Sequence, residues 1–375
     1  MMGGMGASVG ADGVPTGTGP TPYLPEPTGP YPAGITSLWM TDASRPDPWA
    51  SDAAARELMV SLWYPATSPD GPRTQYMTPA ESELQLTSRD ITGIPPDTLS
   101  TVRTNAALDA TPTGTQRGLP LAVLSPGFTN SRSTLSGLAE DLASHGYVVA
   151  GIDHTYESFA TAFPDGRVTT GLARQARRRG SGFWEKVVAG RAADVAFVLG
   201  ELTGKRPPWP GARLIDPSQI GMAGHSIGGA AAIAAMLTDS RIRAGIDMDG
   251  ATVAPIPQTG LSRPFMFLGK QANYTPGSEG SAATWERDWK LLTGWKRWLV
   301  VAGAVHASFT DLALLADQAG IEIGGAALPG ARSLDITRTY VRAFFDQHLR
   351  GSPQALLDQP SPRYPEITFC FPPGF

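Results

Sequence analysis

The chain of 375 residues contains one cysteine, carries little net charge and has no long apolar run. The lone Cys370 excludes a disulfide framework within the chain and any zinc site built on cysteines. A formal net charge of −4 gives no sign of a nucleic-acid binder. No apolar stretch reaches the roughly 18 to 20 residues that a membrane span needs. These absences predict a soluble protein without a transmembrane segment.

The N-terminal residues lack the basic start, apolar core and cleavage site of a signal peptide. We therefore expect a cytoplasmic protein, or a secreted one whose signal peptide has been removed. Residues 1–30 are rich in glycine, proline and threonine, which predicts a flexible tail with Tyr23 to Pro25 as its anchored part. A composition that is 41% hydrophobic allows the remaining residues, 31–375, to form a single large domain.

Strand and helix patterns alternate along most of that domain. Two apolar runs near 35–43 and 56–66 predict an antiparallel pair at its start, and a long polar insertion follows at 67–118. Apolar strand runs then alternate with helical spacing to the C-terminus, which requires parallel strands joined by right-handed crossovers. The sequence therefore predicts an α/β fold: a mainly parallel twisted sheet with helices on both faces and an N-terminal antiparallel edge. Active sites in such sheets lie at the carboxyl ends of the strands.

A Gly-x-Ser-x-Gly pattern occurs twice, in GASVG at 6–10 and in GHSIGG at 224–229. Only the second copy stands between a predicted strand and a predicted helix, which is the context of a nucleophile elbow. There Ser226 would be the nucleophile, and the backbone amide of Ile227 would stabilise an oxyanion. A second amide donor is expected in the loop after the first core parallel strand, at Phe128. The alternative is a structural glycine turn without catalytic function.

A serine hydroxyl needs a base, and the chain offers five histidines. His306 follows the last core strand and therefore lies at the predicted catalytic edge, so it is the candidate base. His154 ends another strand and fits a structural hydrogen-bonding role or a place in the pocket. The other three are expected at the opposite sheet edge, pointing away from the serine, or late in the terminal helix: His145, His225 and His348.

The acid is expected at the end of the strand IRAGIDMDG, where two aspartates share one strand face. Asp249 is nearer the carboxyl end and is followed by glycine, which favours it as the residue that orients the histidine. Asp247 fits a buried, hydrogen-bonded support. Asp311 is a weaker candidate, because the acid precedes the histidine in the chain order of α/β-hydrolases.

Four segments together resemble the platelet-activating factor acetylhydrolase family of serine-dependent, calcium-independent α/β-hydrolases, which remove short acyl groups from phospholipids. These segments are LSPGFTNSRSTLSGLAEDLASHGYVVAGIDH, GHSIGGA, AGIDMDG and GAVHASFTD, within residues 119–311. The resemblance implies an α/β-hydrolase fold with Ser226, Asp249 and His306 as catalytic residues. It also implies an oxyanion hole formed by the amides of Phe128 and Ile227. One difference is Ser-Pro-Gly at 125–127, where better-known animal members have Ser-His-Gly.

The resemblance implies a serine esterase that hydrolyses short-chain acyl esters, including sn-2 acyl groups of phospholipids, through an acyl-enzyme and with no metal or organic cofactor. A small-molecule or lipid ester is the expected partner, with transient lipid-surface contact and no nucleic acid; the oligomeric state stays open. The alternatives are a generic carboxylesterase, lipase or polyester hydrolase with the same triad, and a catalytically silent binding module. Segments 155–181 and 251–263 are expected to cap the site, with Phe159, Phe163 and Trp184 as lining or core residues.

The arginine-rich run RQARRRG begins inside the first of these cap segments, at residue 174. Its composition favours a solvated helix face or loop, and contact with an anionic surface is the alternative.

Overall fold

A computed structural model describes residues 21–114, 118–177, 181–253 and 255–372. The GASVG copy at 6–10 lies outside the described residues. Among the described helices, none is long and apolar enough to cross a membrane.

The twelve described strands fall into one large sheet and one small hairpin. Their bounds are β1 Ala33–Asp42, β2 Arg56–Pro65, β3 Ala107–Leu108, β4 Leu119–Ser125, β5 Val148–Asp153, β6 Ala160–Ala162, β7 Val168–Thr170, β8 Ile215–His225, β9 Ile242–Met248, β10 Phe265–Lys270, β11 Lys296–Val301 and β12 Ile367–Phe369. The large sheet has the order β12-β11-β10-β9-β8-β4-β5-β2-β1-β3. Its centre, from β5 through β11, is parallel, whereas β2 pairs antiparallel with both β1 and β5.

Nine α-helices connect and cover these strands in the described parts of the chain. Their bounds are α1 Pro79–Thr87, α2 Ser136–Ser144, α3 Ala173–Arg177, α4 Phe183–Thr203, α5 Ile227–Thr238, α6 Gln271–Tyr274, α7 Ser281–Trp289, α8 Asp311–Ala319 and α9 Gly330–His348.

Alternate residues of the central strands point to two separate apolar layers. Val123 of β4 belongs to the layer formed with α4, α5 and α7, whereas its neighbours Ala122 and Leu124 belong to the layer formed with α2 and α9. Burial on both faces explains why these strands read as continuous apolar runs. The predicted sheet, with helices on both faces and an antiparallel N-terminal edge, is confirmed, and its topology is that of the α/β-hydrolase fold.

The anchored part of the predicted tail is longer than Tyr23 to Pro25, because contacts with the domain continue to Thr28. Leu24 is buried and its amide donates to the carbonyl of Arg103, at 2.9 Å. Further along, Thr28 donates from its amide and its hydroxyl to Asp141, both at 2.8 Å. These contacts are made to distant parts of the fold. They therefore offset the loss of conformational entropy that the composition of residues 1–30 suggests.

The insertion at 67–118 contains structure that hydrophobic periodicity did not indicate. Helix α1 starts with a capping box, in which Thr78 accepts from the amide of Glu81 and the Glu81 carboxylate accepts from the amide of Thr78. The sequence signature for it, TPAE at 78–81, is present. The C-terminal strand β12 was also missed, because it has only three residues and pairs antiparallel with β11 at the sheet edge.

Candidate active site

Ser226 occupies the turn between β8 and α5 in a backbone conformation that is rare for a non-glycine residue, with φ 57° and ψ −128°. Strand and helix approach closely at two glycines. A Cβ on Gly224 would lie 2.1 Å from the carbonyl carbon of Gly228, and a Cβ on Gly228 would lie 2.1 Å from the carbonyl oxygen of Ser125. Any side chain at either position would collide with backbone, so the glycines permit the strained turn that carries Ser226.

Two backbone amides lie beside this turn. Ile227 is the first residue of α5, so its amide has no acceptor within the helix. Phe128 follows β4, and its loop passes next to the serine, since a Cβ on Gly127 would lie 3.3 Å from the Cβ of Ser226. The Phe128 ring packs edge-on against Trp184, with ring centroids 5.3 Å apart. The two predicted oxyanion residues therefore flank Ser226 from the helix and from the neighbouring strand end.

Asp249 and His306 are joined by a hydrogen bond. His306 Nδ1 donates to Asp249 Oδ2 at 2.5 Å, and the amide of Lys270 donates to Asp249 Oδ1 at 2.7 Å. Asp249 itself is buried directly after β9, whereas the His306 side chain is 50% exposed. Within the described residues, no hydrogen bond joins His306 to Ser226. In sites without substrate such contacts are often long and shorten on binding, and an exposed ring has room to move.

The two other candidate acids have different partners. Asp247 is fully buried and accepts from the amide of Gly250 at 2.8 Å, and burial raises the pKa of its carboxyl well above the usual range. Asp311 accepts from the amide of Gly137 through both carboxylate oxygens, at 3.0 and 3.1 Å. Only Asp249, of the three aspartates, contacts His306.

His225 contributes to this site in a way that the sequence did not indicate. It was expected only to point away from the serine, but its ring lies 4.4 Å from the ring of His306. Its Nε2 donates to the backbone carbonyl of His306 at 2.8 Å. Burial and the His306 charge lower the pKa of His225 well below its usual value. A neutral His225 therefore fixes the backbone that carries His306.

A second group of serine, histidine and aspartate lies buried behind the Phe128 loop. His154 Nε2 and the hydroxyl of Ser125 are 2.9 Å apart, and His154 Nδ1 donates to Asp194 at 2.7 Å. All three side chains are buried, so no substrate reaches Ser125. Of the two roles considered for His154, the structure shows the structural hydrogen-bonding one.

The charges of this buried group are compensated by arginines. Burial alone would raise the pKa of Asp194. The Arg56 guanidinium and the hydrogen bond from His154 instead hold this pKa well below its usual range. Arg191 pairs with Glu157 at 2.8 Å and also donates to the carbonyl oxygen of Pro126. This last contact connects the buried group to the loop that ends at Phe128. The signal in the sequence is a pair of charged residues, Arg191 and Asp194, on the otherwise apolar buried face of α4.

An open cavity of about 420 Å³ adjoins the serine. It is lined by Trp184, Glu185, Ser226, Ile227, Ala251, Thr252 and Val253. Of the three aromatic residues expected near the pocket, Trp184 borders this cavity and Phe159 borders a neighbouring groove. Phe163 instead packs edge-on against Trp39, with ring centroids 5.8 Å apart.

Comparison with known proteins identifies relatives that are named as esterases or acetylhydrolases. Residues 17–168 and 213–348 match the family model described as platelet-activating factor acetylhydrolase, isoform II. A probable 1-alkyl-2-acetylglycerophosphocholine esterase from Arthroderma benhamiae is 30% identical, over 92% of this chain and 93% of its own length. The platelet-activating factor acetylhydrolase of Cavia porcellus is 24% identical, over 77% of this chain and 69% of its own.

A solved structure, the ferulic acid esterase from Streptomyces cinnamoneus, superposes with a TM-score of 0.81. It is 42% identical and covers 93% of this chain and 99% of its own. The family match spans most of the described sheet, including β4, β8 and β9, at whose carboxyl ends the residues of the site lie. The chain therefore belongs to the platelet-activating factor acetylhydrolase family and is a serine esterase.

Proposed function

We propose that Ser226 is the nucleophile of this esterase, His306 its general base and Asp249 the residue that orients the base. The observation that carries the proposal is the hydrogen bond from His306 Nδ1 to Asp249, at 2.5 Å, beside the strained turn at Ser226. This bond leaves Nε2 of His306 as the ring nitrogen that accepts a proton. The chain order of Ser226, Asp249 and His306, which is that of α/β-hydrolases, supports this assignment.

The reaction then proceeds in two steps through an acyl-enzyme. His306 takes the proton of the Ser226 hydroxyl as the serine oxygen bonds to the ester carbonyl carbon. The amides of Phe128 and Ile227 donate to the resulting oxyanion. His306 returns the proton to the leaving alcohol as the ester C–O bond breaks. Water, deprotonated by the same histidine, then releases the acid and regenerates the serine.

The proposed substrates are short-chain acyl esters, with glycerophospholipids that carry a short sn-2 acyl group as the natural class. The family match and the names of its acetylglycerophosphocholine esterase members support this choice.

A second candidate substrate class is the aryl ester. The 42% identity to the ferulic acid esterase favours it, and so does the indole of Trp184 in the wall of the cavity that contains Ser226. Aromatic walls bind planar aryl groups by stacking, with an energy of about 0.5–1.5 kcal/mol beyond area burial.

Initial rates on 4-nitrophenyl acetate, butyrate, octanoate and palmitate test the proposal, alongside methyl ferulate and a 1-alkyl-2-acetylglycerophosphocholine. We expect rates that fall steeply with acyl length, hydrolysis of the acetyl phospholipid, and loss of all activity in Ser226→Ala. A preference for methyl ferulate would select the aryl-ester class instead. Preference for octanoate or palmitate would overturn the short-acyl assignment.

A further inference from the structure

A groove of about 930 Å³ begins at the loop that carries the candidate oxyanion amide. Phe128 and Thr129 form one wall, and Gly171, Arg174 and Arg177 form another. The second wall consists of the segment around α3, the start of the arginine-rich run. A substrate bound at Ser226 and extending past Phe128 would therefore enter a space bordered by guanidinium groups.

Arg174, which lines this groove, and Arg89, which lines another cavity, both lie over the ring of Phe159, a third residue of the groove wall. The guanidinium carbon of Arg89 lies 5.2 Å from the centre of the Phe159 ring, and that of Arg174 lies 4.9 Å from it. Arg89 also donates to the side-chain oxygen of Asn130, two residues after Phe128. Arg177 lies over the ring of Trp184, at 5.0 Å. Stacking on aromatic rings positions these cations without neutralising their charge.

No carboxylate neutralises these three cations among the residues that the structure describes. The ion pairs formed by buried carboxylates near the site belong to other arginines, such as Arg191 with Glu157. Burial of the guanidinium and the charge of Arg174 lower the pKa of Arg89. Two like charges held close together, with no counter-charge from the protein, are stabilised when an anion binds between them.

The cavity that contains Ser226 has the reverse charge. The 420 Å³ cavity carries Glu185 on its rim and no basic residue in its lining. A negatively charged part of a substrate is therefore repelled from that cavity and attracted toward the groove of Arg89 and Arg174.

We propose that Arg89, Arg174 and Arg177 bind an anionic phosphate group of the ester substrate, on the part of the molecule that extends past Phe128. The guanidinium group offers parallel donors that match phosphate oxygens, and several arginines suit a group with more than one charged oxygen. The inference rests on the proposed function, since it assigns the charge of the substrate that Ser226 attacks. The phosphate is either that of a lipid headgroup or that of a soluble phosphorylated ester.

The test compares two soluble esters that differ only in the phosphate group at position 3, 1,2-diacetylglycerol 3-phosphate and 1,2-diacetylglycerol. The measured quantity is the ratio of their kcat/KM values at low ionic strength, for the wild type and for the double variant Arg89→Gln/Arg174→Gln. Arg213→Gln is the matched control, because Arg213 is exposed and donates only to the carbonyl of Pro210. We expect a wild-type ratio of about ten or more in favour of the phosphate ester. The double variant should lower this ratio about tenfold, and Arg213→Gln should leave it unchanged.

Three further results separate the possible sources and failures. A tenfold loss in the double variant, seen both with the soluble phosphate ester and with an acetyl phospholipid in phosphatidylcholine vesicles, supports binding of a substrate phosphate from either source. An unchanged ratio in the double variant would overturn the proposal, even if binding to phosphatidylglycerol vesicles weakened, because the arginines would then contact only the membrane. If Ser226→Ala still hydrolysed both esters, the proposed nucleophile would be wrong, whereas the ratio would still report on the arginines.

Discussion

His225 donates a hydrogen bond from Nε2 to the backbone carbonyl oxygen of His306, at 2.8 Å. The residue before the candidate nucleophile thus holds the loop of the candidate base, which comes from the far end of the sheet. Because Asp249 binds the ring of the same histidine, His306 is fixed at both its backbone and its side chain. His225 therefore links the turn of Ser226 to the loop of His306, and Asp249 contacts the His306 ring directly.

Replacement of His225 by phenylalanine keeps the ring volume but removes the donor to His306. We expect kcat to fall about tenfold with a smaller change in KM, because the base is less well placed while the pocket remains. His225→Gln, which retains an N–H donor, should restore part of the loss. Equal activity of the two variants would contradict this role.

The same structure predicts a simple dependence of kcat/KM on acidic pH. His225 is held neutral by burial, so its own ionisation should not contribute to the fall in activity at acidic pH. The activity should fall as the pH falls, with the slope of a single ionisation, since a protonated base cannot accept the proton of Ser226. A slope of two ionisations would show that His225 titrates together with His306.

Asp249 and Asp247 should differ sharply when each is replaced by asparagine. Asp249→Asn removes the charge that stabilises protonated His306, and we expect kcat to fall by about 10³- to 10⁴-fold. Burial raises the pKa of the Asp247 carboxyl and so favours its neutral form, which asparagine resembles, and Asp247→Asn should change kcat by less than about fivefold. The opposite order of the two variants would assign the acid to Asp247.

Arg191 should affect the rate although it lies behind the site. Its contact with the carbonyl of Pro126 positions the loop that ends at Phe128, so Arg191→Gln should lower kcat by about 10- to 100-fold. The variant also leaves Glu157 buried without its partner, and it will be less stable. Ser125→Ala is therefore the second variant. It removes the hydroxyl that contacts Arg191 and His154 but keeps the ion pair between Arg191 and Glu157. Arg45→Met, at the far side of Asp194, is the control and should keep its kcat.

Stability should depend on pH through Asp311. Burial raises the pKa of this carboxyl from 3.8 to about 7 in the folded protein. Between these two pKa values the folded state binds the proton and the unfolded state does not. The contribution of Asp311 to the free energy of unfolding therefore falls as the pH rises through this range. Asparagine does not titrate. The melting temperature of Asp311→Asn, taken relative to that of the wild type, should therefore rise between pH 5 and pH 8. A difference that stays constant over this range would contradict the raised pKa.

The sequence was sufficient to predict the parallel sheet and the position of each candidate at a strand end, because apolar runs and glycine turns report local structure. The paired Asp249 and His306 were placed correctly at one edge for the same reason. The contacts of Arg191 with Pro126 and of His225 with His306 depend on side-chain direction and on partners distant in the chain. Periodicity contains no information on either, so these residues emerged only from the structure.

The proposed nucleophile is tested most directly by labelling the enzyme with a fluorophosphonate and mapping the modified residue by peptide mass spectrometry. We predict one adduct, on Ser226, that is absent from Ser226→Ala and strongly slowed in His306→Ala. Ser125 should stay unmodified because it is buried. An adduct on any other serine, with unchanged ester hydrolysis by Ser226→Ala, would contradict the assignment of Ser226.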